Sequence, residues 1–206
     1  MANAPRLSAT DVPADVEILD AATVYNGYFR LDRYRVRHRR HDGTWSPPLT
    51  REVFERGHAV AVLLHDPDTD RVLLVRQFRL PALAAGKAPW QTEIVAGVIE
   101  DGEDAAQVAR REVREECGQE PGELHLVHHY LVSPGGSTET IRIYVATVDS
   151  HGAGGGHGRA DEGEDIAVET VPVSRALEML ADGTIENGPA IMALQWLALN
   201  RDRPRR

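Results

Sequence analysis

Two short stretches, residues 58–65 (His-Ala-Val-Ala-Val-Leu-Leu-His) and 71–78 (Arg-Val-Leu-Leu-Val-Arg-Gln-Phe), constrain the fold most. Each is a nearly unbroken apolar run of strand length, the pattern of β-strands buried on both faces. Asp66-Pro67-Asp68 between them supplies a turn. The chain upstream has a different texture. Residues 16–25 and 28–38 alternate apolar and polar side chains, with Asn26-Gly27 between them as a hairpin turn. Residues 49–56 add a third strand after the Asp42-Gly43 turn.

Downstream, residues 90–99 read as one strand, and a helix follows over 104–118. Asp104 is placed to cap it, with Gln107 three residues on, and Gly118 is a natural stop. Residues 124–132 and 138–148 are further strands, and 174–180 and 189–200 are apolar-periodic helices, the first with Ser174 as its cap. Residues 151–159 contain five glycines. They lack the Gly-Lys-Ser/Thr ending of a phosphate-cradling loop and read as a mobile surface connection. Strands first, then strands mixed with helices, predict a small β-rich N-terminal region (residues 1–50) and a larger mixed α/β domain (residues 51–206).

Charge narrows the function. Asp and Glu number 32 against 23 Lys and Arg, a formal net charge of −9 over 206 residues. That balance argues against a nucleic-acid partner, which draws on a basic surface. It leaves a polyphosphate substrate open, because a divalent metal can bridge two anionic parties. Arg30, Arg33, Arg35 and Arg37 on the second strand read as a solvated face, with nucleic-acid contact as the alternative. Cys117 is the only cysteine. It excludes an internal disulfide and a cysteine metal cluster, which predicts a reducing, cytoplasmic location. No apolar run approaches the roughly 18 residues of a membrane span. The first 14 residues lack a basic start followed by an apolar stretch, so no signal peptide is expected.

The segment that carries chemistry runs from Gly97 to Gln119. On a helical projection Ala105, Ala109 and Val113 form one stripe, and Glu112 and Glu116 fall within roughly 20° of the Ala105 direction. Glu115 lies on the adjoining flank, while Arg110 and Arg114 point away. Like charges at i,i+4 disfavour a helix by about 0.2–0.5 kcal/mol even when exposed, and burial adds a larger desolvation penalty. A merely solvated helix would turn these acids outward. Hard divalent cations such as Mg²⁺ prefer oxygen ligands, and this face supplies them.

Gly97, Glu103, Arg111, Glu112, Val113, Glu115, Glu116 and Gly118 stand at the spacing of the Nudix box, which the segment resembles over 23 residues. Only the last position departs, with Gln119 where an aliphatic residue is usual. From about residue 16 to 201 the chain is similar to the ADP-ribose pyrophosphatase branch of that family. The similarity rests on residues 51–58 (Arg-Glu-Val-Phe-Glu-Arg-Gly-His), Ser133-Pro134-Gly135-Gly136, residues 161–166 (Asp-Glu-Gly-Glu-Asp-Ile) and Ala193-Leu-Gln-Trp-Leu197.

The resemblance implies an αβα sandwich with a mixed sheet, plus a small N-terminal antiparallel sheet that exchanges across a homodimer with shared active sites. It implies a bound Mg²⁺, with Mn²⁺ a possible substitute, on Glu112, Glu116, the carbonyl of Ala96 and Glu164. Glu162 would orient or deprotonate the attacking water, with Glu115 the other candidate base. Substrate would be held at Tyr28, Phe29, Arg51, Glu52, Arg56, Arg79, Val98, Ser133, Pro134, Gly135 and Glu139, and Arg111 would pair with a box carboxylate.

Each assignment has a plainer competitor. Tyr28 and Phe29 could be hairpin core instead of a stacking platform for a base. The arginines could be solvated, although a pyrophosphate favours guanidinium forks. Glu162 and Glu164 sit in a Gly-rich loop that could be a solvated connection. The implied reaction is hydrolysis of ADP-ribose to AMP and ribose 5-phosphate. GDP-mannose or another nucleotide sugar is the nearer alternative, and a non-catalytic ADP-ribose sensor the more distant one.

Overall fold

A computed structural model describes residues 6–8, 10–159 and 163–201. They divide into two compact units: residues 6–58 with Glu100–Gly102 and Leu131–Thr140, and a larger unit made of the remainder.

The first unit is an antiparallel sheet in the order β1 (Val16–Asn26), β2 (Arg30–His38), β3 (Leu49–Glu55). The expected two-residue turn is a three-residue loop instead, because Asn26 pairs with Arg30 and Gly27 N–H donates to the Phe29 carbonyl. Tyr28 and Phe29 therefore sit in the loop, not on the strand. On β2 the period of two places Asp32 and Tyr34 inward and Arg33 and Arg35 in solvent. Asp32 is tolerated at 2% exposure because Thr23 Oγ1 and Arg30 Nε donate to it.

The larger unit is built on a mixed sheet in the order β10 (Gly155–His157), β11 (Ile166–Pro172), β5 (Arg71–Phe78), β4 (His58–Asp66), β9 (Thr140–Thr147), β8 (Leu124–Leu131). The β4–β9 pair is parallel; β4–β5 and β5–β11 are antiparallel. The apolar runs are central strands, as their composition requires. Ala59, Ala61 and Leu63 of β4 enter one core with α3 (Val173–Ala181) and α4 (Gly188–Asn200). Val60, Val62 and Leu64 enter a second core with Val108, Ala109, Val113 and Cys117 of α2 (Ala105–Cys117). Helices thus cover both faces of a mixed sheet. Each fully buried Val or Leu contributes about 1.5–3 kcal/mol to holding the layers together.

Several elements differ from the sequence reading. Residues 90–99 form two strands, β6 (Trp90–Glu93) on β5 and β7 (Val95–Ile99) on β4, because the chain changes partner at the buried Ile94. The Gly-rich stretch is not merely a connection, since β10 lies within it and pairs with β11, a strand not anticipated. A short helix, α1 (Leu80–Ala84), opens with Pro81 in its first turn. Ser174 does not cap α3: the cap position is Pro172, with no side-chain bond. Asn187 caps α4 by accepting from Ala190 N–H. Asp104 caps α2 as expected, accepting from the N–H groups of Ala106 and Gln107, and Gly118 ends it in the left-handed conformation at φ 62°.

Candidate active site

In the larger unit α2 packs through Val108, Ala109, Val113 and Cys117, and this seating carries Glu112 and Glu116 to its edge against β7. Glu116 is only 3% exposed. Its Oε2 accepts from the N–H of Ala96 at 3.3 Å. Burial, then the neighbouring Glu112 carboxylate, pushes its pKa up to about 8. Glu112 is also raised, by burial first, although Arg111 works against the shift. Its side chain lies so close over Gly97 that a Cβ built there would fall 2.2 Å from Glu112 Cδ. Only the absence of a side chain at Gly97 lets that carboxylate stem pass.

Arg111 ties the group together. It bonds to Glu103 and donates to Glu112 Oε1 at 3.1 Å, holding that carboxylate's rotamer. Glu115, on the flank, is half-buried, and its carbonyl accepts from Gly158 N–H. Glu164 is half-buried too. Its Oε2 accepts from Arg159 N–H at 3.1 Å, and its charge contributes to raising both Glu112 and Glu116. Glu162 lies outside the described residues.

Among the described residues no three acidic, imidazole or thiol side chains converge tightly enough to hold an ion alone. A half-buried and a buried carboxylate, both with raised pKa values, nevertheless fit a magnesium-like ion. Such an ion keeps several waters and is usually bound by one or two carboxylates together with substrate phosphates.

Also in this unit, Arg79 is held in a fork by Glu93, Nε to Oε1 at 3.1 Å and Nη2 to Oε2 at 2.8 Å. Burial opposes the charge on Arg79, but the Glu93 bonds prevail and raise its pKa. Glu93, 5% exposed, is absent from the sequence-derived set. Its signal was available: a lone acid ending Trp-Gln-Thr in an apolar strand. Val98 is half-buried on β7.

The first unit holds the remaining candidates. Tyr28 is 73% exposed and meets Phe29 edge-on at 4.8 Å; Phe29 meets Phe54 at 5.0 Å. The Arg56 guanidinium lies 5.6 Å over the Phe29 ring and pairs with Glu139 at 3.2 Å. Glu139 is buried, which raises its pKa against the pull of Arg56. Ser133, Pro134 and Gly135 form an exposed turn in which Gly136 N–H returns to the Ser133 carbonyl; the Gly136 carbonyl receives Phe54 N–H. This segment is thereby joined to β3. Arg51 and Glu52 are exposed on that strand. Phe29, Phe54, Arg56 and Glu139 form one cluster, whereas Arg51 and Glu52 lie exposed on β3.

A mixed sheet between helical layers, with Glu112 of α2 passing over Gly97 and Glu116 buried one turn further along beside Ala96, is the arrangement of a hydrolase scaffold. The NUDIX domain model matches residues 55–194, and the chain belongs to that family. It is 46% identical over 186 residues to the ADP-ribose pyrophosphatase of Escherichia coli strain K12, covering 90% of this chain and 89% of that protein. It is 41% identical over 189 residues to the ADP-ribose pyrophosphatase of Haemophilus influenzae, covering 90% and 87%. A GDP-mannose pyrophosphatase of Escherichia coli O1:K1 / APEC is 37% identical over 152 residues, covering 73% and 78%.

Proposed function

We propose that this protein hydrolyses the pyrophosphate bond of ADP-ribose, giving AMP and ribose 5-phosphate, with a divalent cation as cofactor. The observation that carries the reading is the Glu112–Glu116 pair, half- to fully buried and made hard to ionise, on a Nudix helix. Such a pair is an electrostatic liability unless a cation occupies it. The choice of ADP-ribose rests on the relatives above, whose identity spans nine-tenths of this chain.

Glu112, Glu116 and the Ala96 carbonyl hold Mg²⁺, or Mn²⁺ in its place, with Glu164 the further acid. When bound, the ion supplies charge neutralisation on the pyrophosphate and acidifies water at the site. Arg111 keeps Glu112 pointed inward. Arg79, already forked to Glu93, offers its remaining N–H groups to phosphate oxygen, as do Arg51 and Arg56. Tyr28 and Phe29 give the base a π-face, and Glu52, Val98, Glu139 and the Ser133-Pro134-Gly135 turn complete the substrate contacts. Water adds to one phosphorus, the bridging P–O bond breaks, and the water's proton passes to a carboxylate, Glu162 or Glu115.

The protein acts as a homodimer in the cytoplasm, its N-terminal sheet completing the partner's site. The 73% exposure of Tyr28 and the small size of that three-stranded sheet support this. No described helix is long and apolar enough to cross a membrane.

The test is product analysis by chromatography with ADP-ribose, GDP-mannose, ADP-glucose and NADH, each with and without Mg²⁺. ADP-ribose should be the preferred substrate and chelation should abolish turnover. Preference for GDP-mannose would move the assignment to the other relatives. Tight binding of ADP-ribose without turnover would indicate a sensor, which has no need of two buried carboxylates.

A further inference from the structure

The box helix ends beside the hairpin that carries the acidic loop, and the contact between them is specific. His157, the last residue of β10, lies over Gly118: a Cβ built on that glycine would fall 3.0 Å from the imidazole Cε1 and 3.5 Å from Nδ1. The ring is itself oriented by a 3.2 Å contact between Nε2 and the Gly154 carbonyl. The next residue, Gly158, donates its N–H to the carbonyl of Glu115 in the last turn of α2 at 3.4 Å. Gly158 takes φ 98°, and a Cβ there would meet Glu164 Cβ at 2.9 Å and the Glu164 carbonyl at 3.3 Å. Glu164 is then closed onto Arg159 twice: its N–H donates to the Arg159 carbonyl, and its carboxylate accepts from Arg159 N–H.

The chain of contacts is therefore Gly118, His157, Gly158, Glu164, running from the end of the metal helix to the loop acid without interruption. We infer that His157 is a positioning residue for the hydrolytic reaction, a latch that registers Glu164 against the helix bearing Glu112, Glu115 and Glu116. This rests on the pyrophosphatase reading above. Two glycines serve the latch for different reasons: Gly118 leaves room for the imidazole, and Gly158 leaves room for Glu164 in a backbone conformation closed to most side chains. A small displacement at this joint moves one carboxylate relative to three others. Catalytic geometry is intolerant of this, since a misplacement of about 1 Å can cost on the order of 100-fold in rate.

The experiment compares wild type, His157→Ala, His157→Gln and Gly158→Ala. Steady-state kinetics on ADP-ribose across a Mg²⁺ titration are combined with limited trypsin digestion followed at the Arg159 bond. For His157→Ala the expected result is a roughly 10-fold lower kcat, ADP-ribose KM within about twofold, and a several-fold higher Mg²⁺ concentration for half-maximal rate. Cleavage after Arg159 should accelerate, with Tm little changed. Glutamine, which keeps an N–H donor for the Gly154 carbonyl, should restore most of the rate. Gly158→Ala displaces Glu164 from the other side and should reproduce the metal shift, so it decides the matter if His157→Ala does not fold. Wild-type kcat and Mg²⁺ dependence in both His157→Ala and Gly158→Ala would overturn the inference, whatever the digestion shows. Failure of the wild type to hydrolyse any nucleotide sugar would instead overturn the functional reading. The trypsin result would then still report whether His157 holds the loop base.

Discussion

Gly97→Ala tests the proposed metal helix without replacing a proposed ligand. The new Cβ would lie 2.2 Å from both Cδ and Oε1 of Glu112 and 2.3 Å from its Cγ, where ordinary contact begins near 3.4 Å. The carboxylate stem must therefore retreat by about 1 Å, several times the roughly 0.2 Å tolerance of a metal–oxygen distance. The atoms that move are the far end of a flexible side chain. Gly97 is not among the glycines with positive φ, so the backbone accepts alanine without strain. Stability should change by less than about 1 kcal/mol, as for ordinary substitutions outside a core. Turnover should fall by roughly 100-fold, the cost of an ångström-scale error in placement. Half-maximal activity should also require more Mg²⁺. The assay pairs thermal unfolding in chelator with initial rates on ADP-ribose from micromolar to tens of millimolar Mg²⁺. An alanine variant with unaltered rate and metal requirement would refute the reasoning that Glu112 reaches the ion by passing over Gly97.

Glu112→Gln and Glu116→Gln should each reduce kcat by orders of magnitude, because each removes the charge of a proposed ligand at nearly constant size; near-normal rates in both would remove the helix from the mechanism. Asp66 accepts from Ser150 N–H and Oγ and from the N–H groups of Asp68 and Thr69, which hold its pKa well below the usual range. A depressed folded-state pKa stabilises the fold above the unfolded value, and that stabilisation is lost as pH falls toward the folded one. Urea unfolding should therefore show Asp66→Asn less stable than wild type at pH 7, with the gap narrowing below about pH 4. Burial and the adjacent Glu116 push the Cys117 thiol up to about 12, so a thiol reagent at pH 8 should modify it only after denaturation. Light scattering should give a dimer, and deletion of residues 1–50 should abolish both dimerisation and turnover; a fully active monomer would contradict the shared site.

The parts of the fold that depend on local rules were legible in the sequence. Unbroken apolar runs gave the central strands β4 and β5, and the Asp104 and Gly118 signals bounded α2 to within a residue. What escaped depends on partners distant in sequence. The division of residues 90–99 into two strands follows from a switch of neighbour between β5 and β4, and no periodicity records which strand a residue will pair with. Strand β11 reads Ile-Ala-Val-Glu-Thr-Val-Pro, a half-buried alternation hidden by the acidic loop before it. Ser174 is a good cap residue by type, but Pro172 closes the turn from β11 and the helix begins one residue early.

The site divides along the same line. The placement of Glu112 and Glu116 was recoverable because helical spacing alone turns them toward the stripe, and desolvation makes that position costly unless something charged offsets it. Glu93 was marked only as a lone acid in an apolar strand, because its meaning lies in the fork it makes with Arg79, fourteen residues earlier at the N-cap of α1. The contrast has a mechanistic consequence. A guanidinium already committed to one carboxylate through Nε and Nη2 presents its remaining N–H groups in a fixed plane, and a planar donor so fixed loses less entropy on meeting a phosphate. Arg79 is therefore held in one orientation by its partner, whereas Arg51, exposed and donating to the Thr50 carbonyl, would have to be ordered by the substrate proposed for it. Binding energy drawn from Arg79 should accordingly exceed that from Arg51. Removing Glu93 should weaken substrate binding almost as much as removing Arg79 itself, because a freed arginine loses the orientation that gave it value.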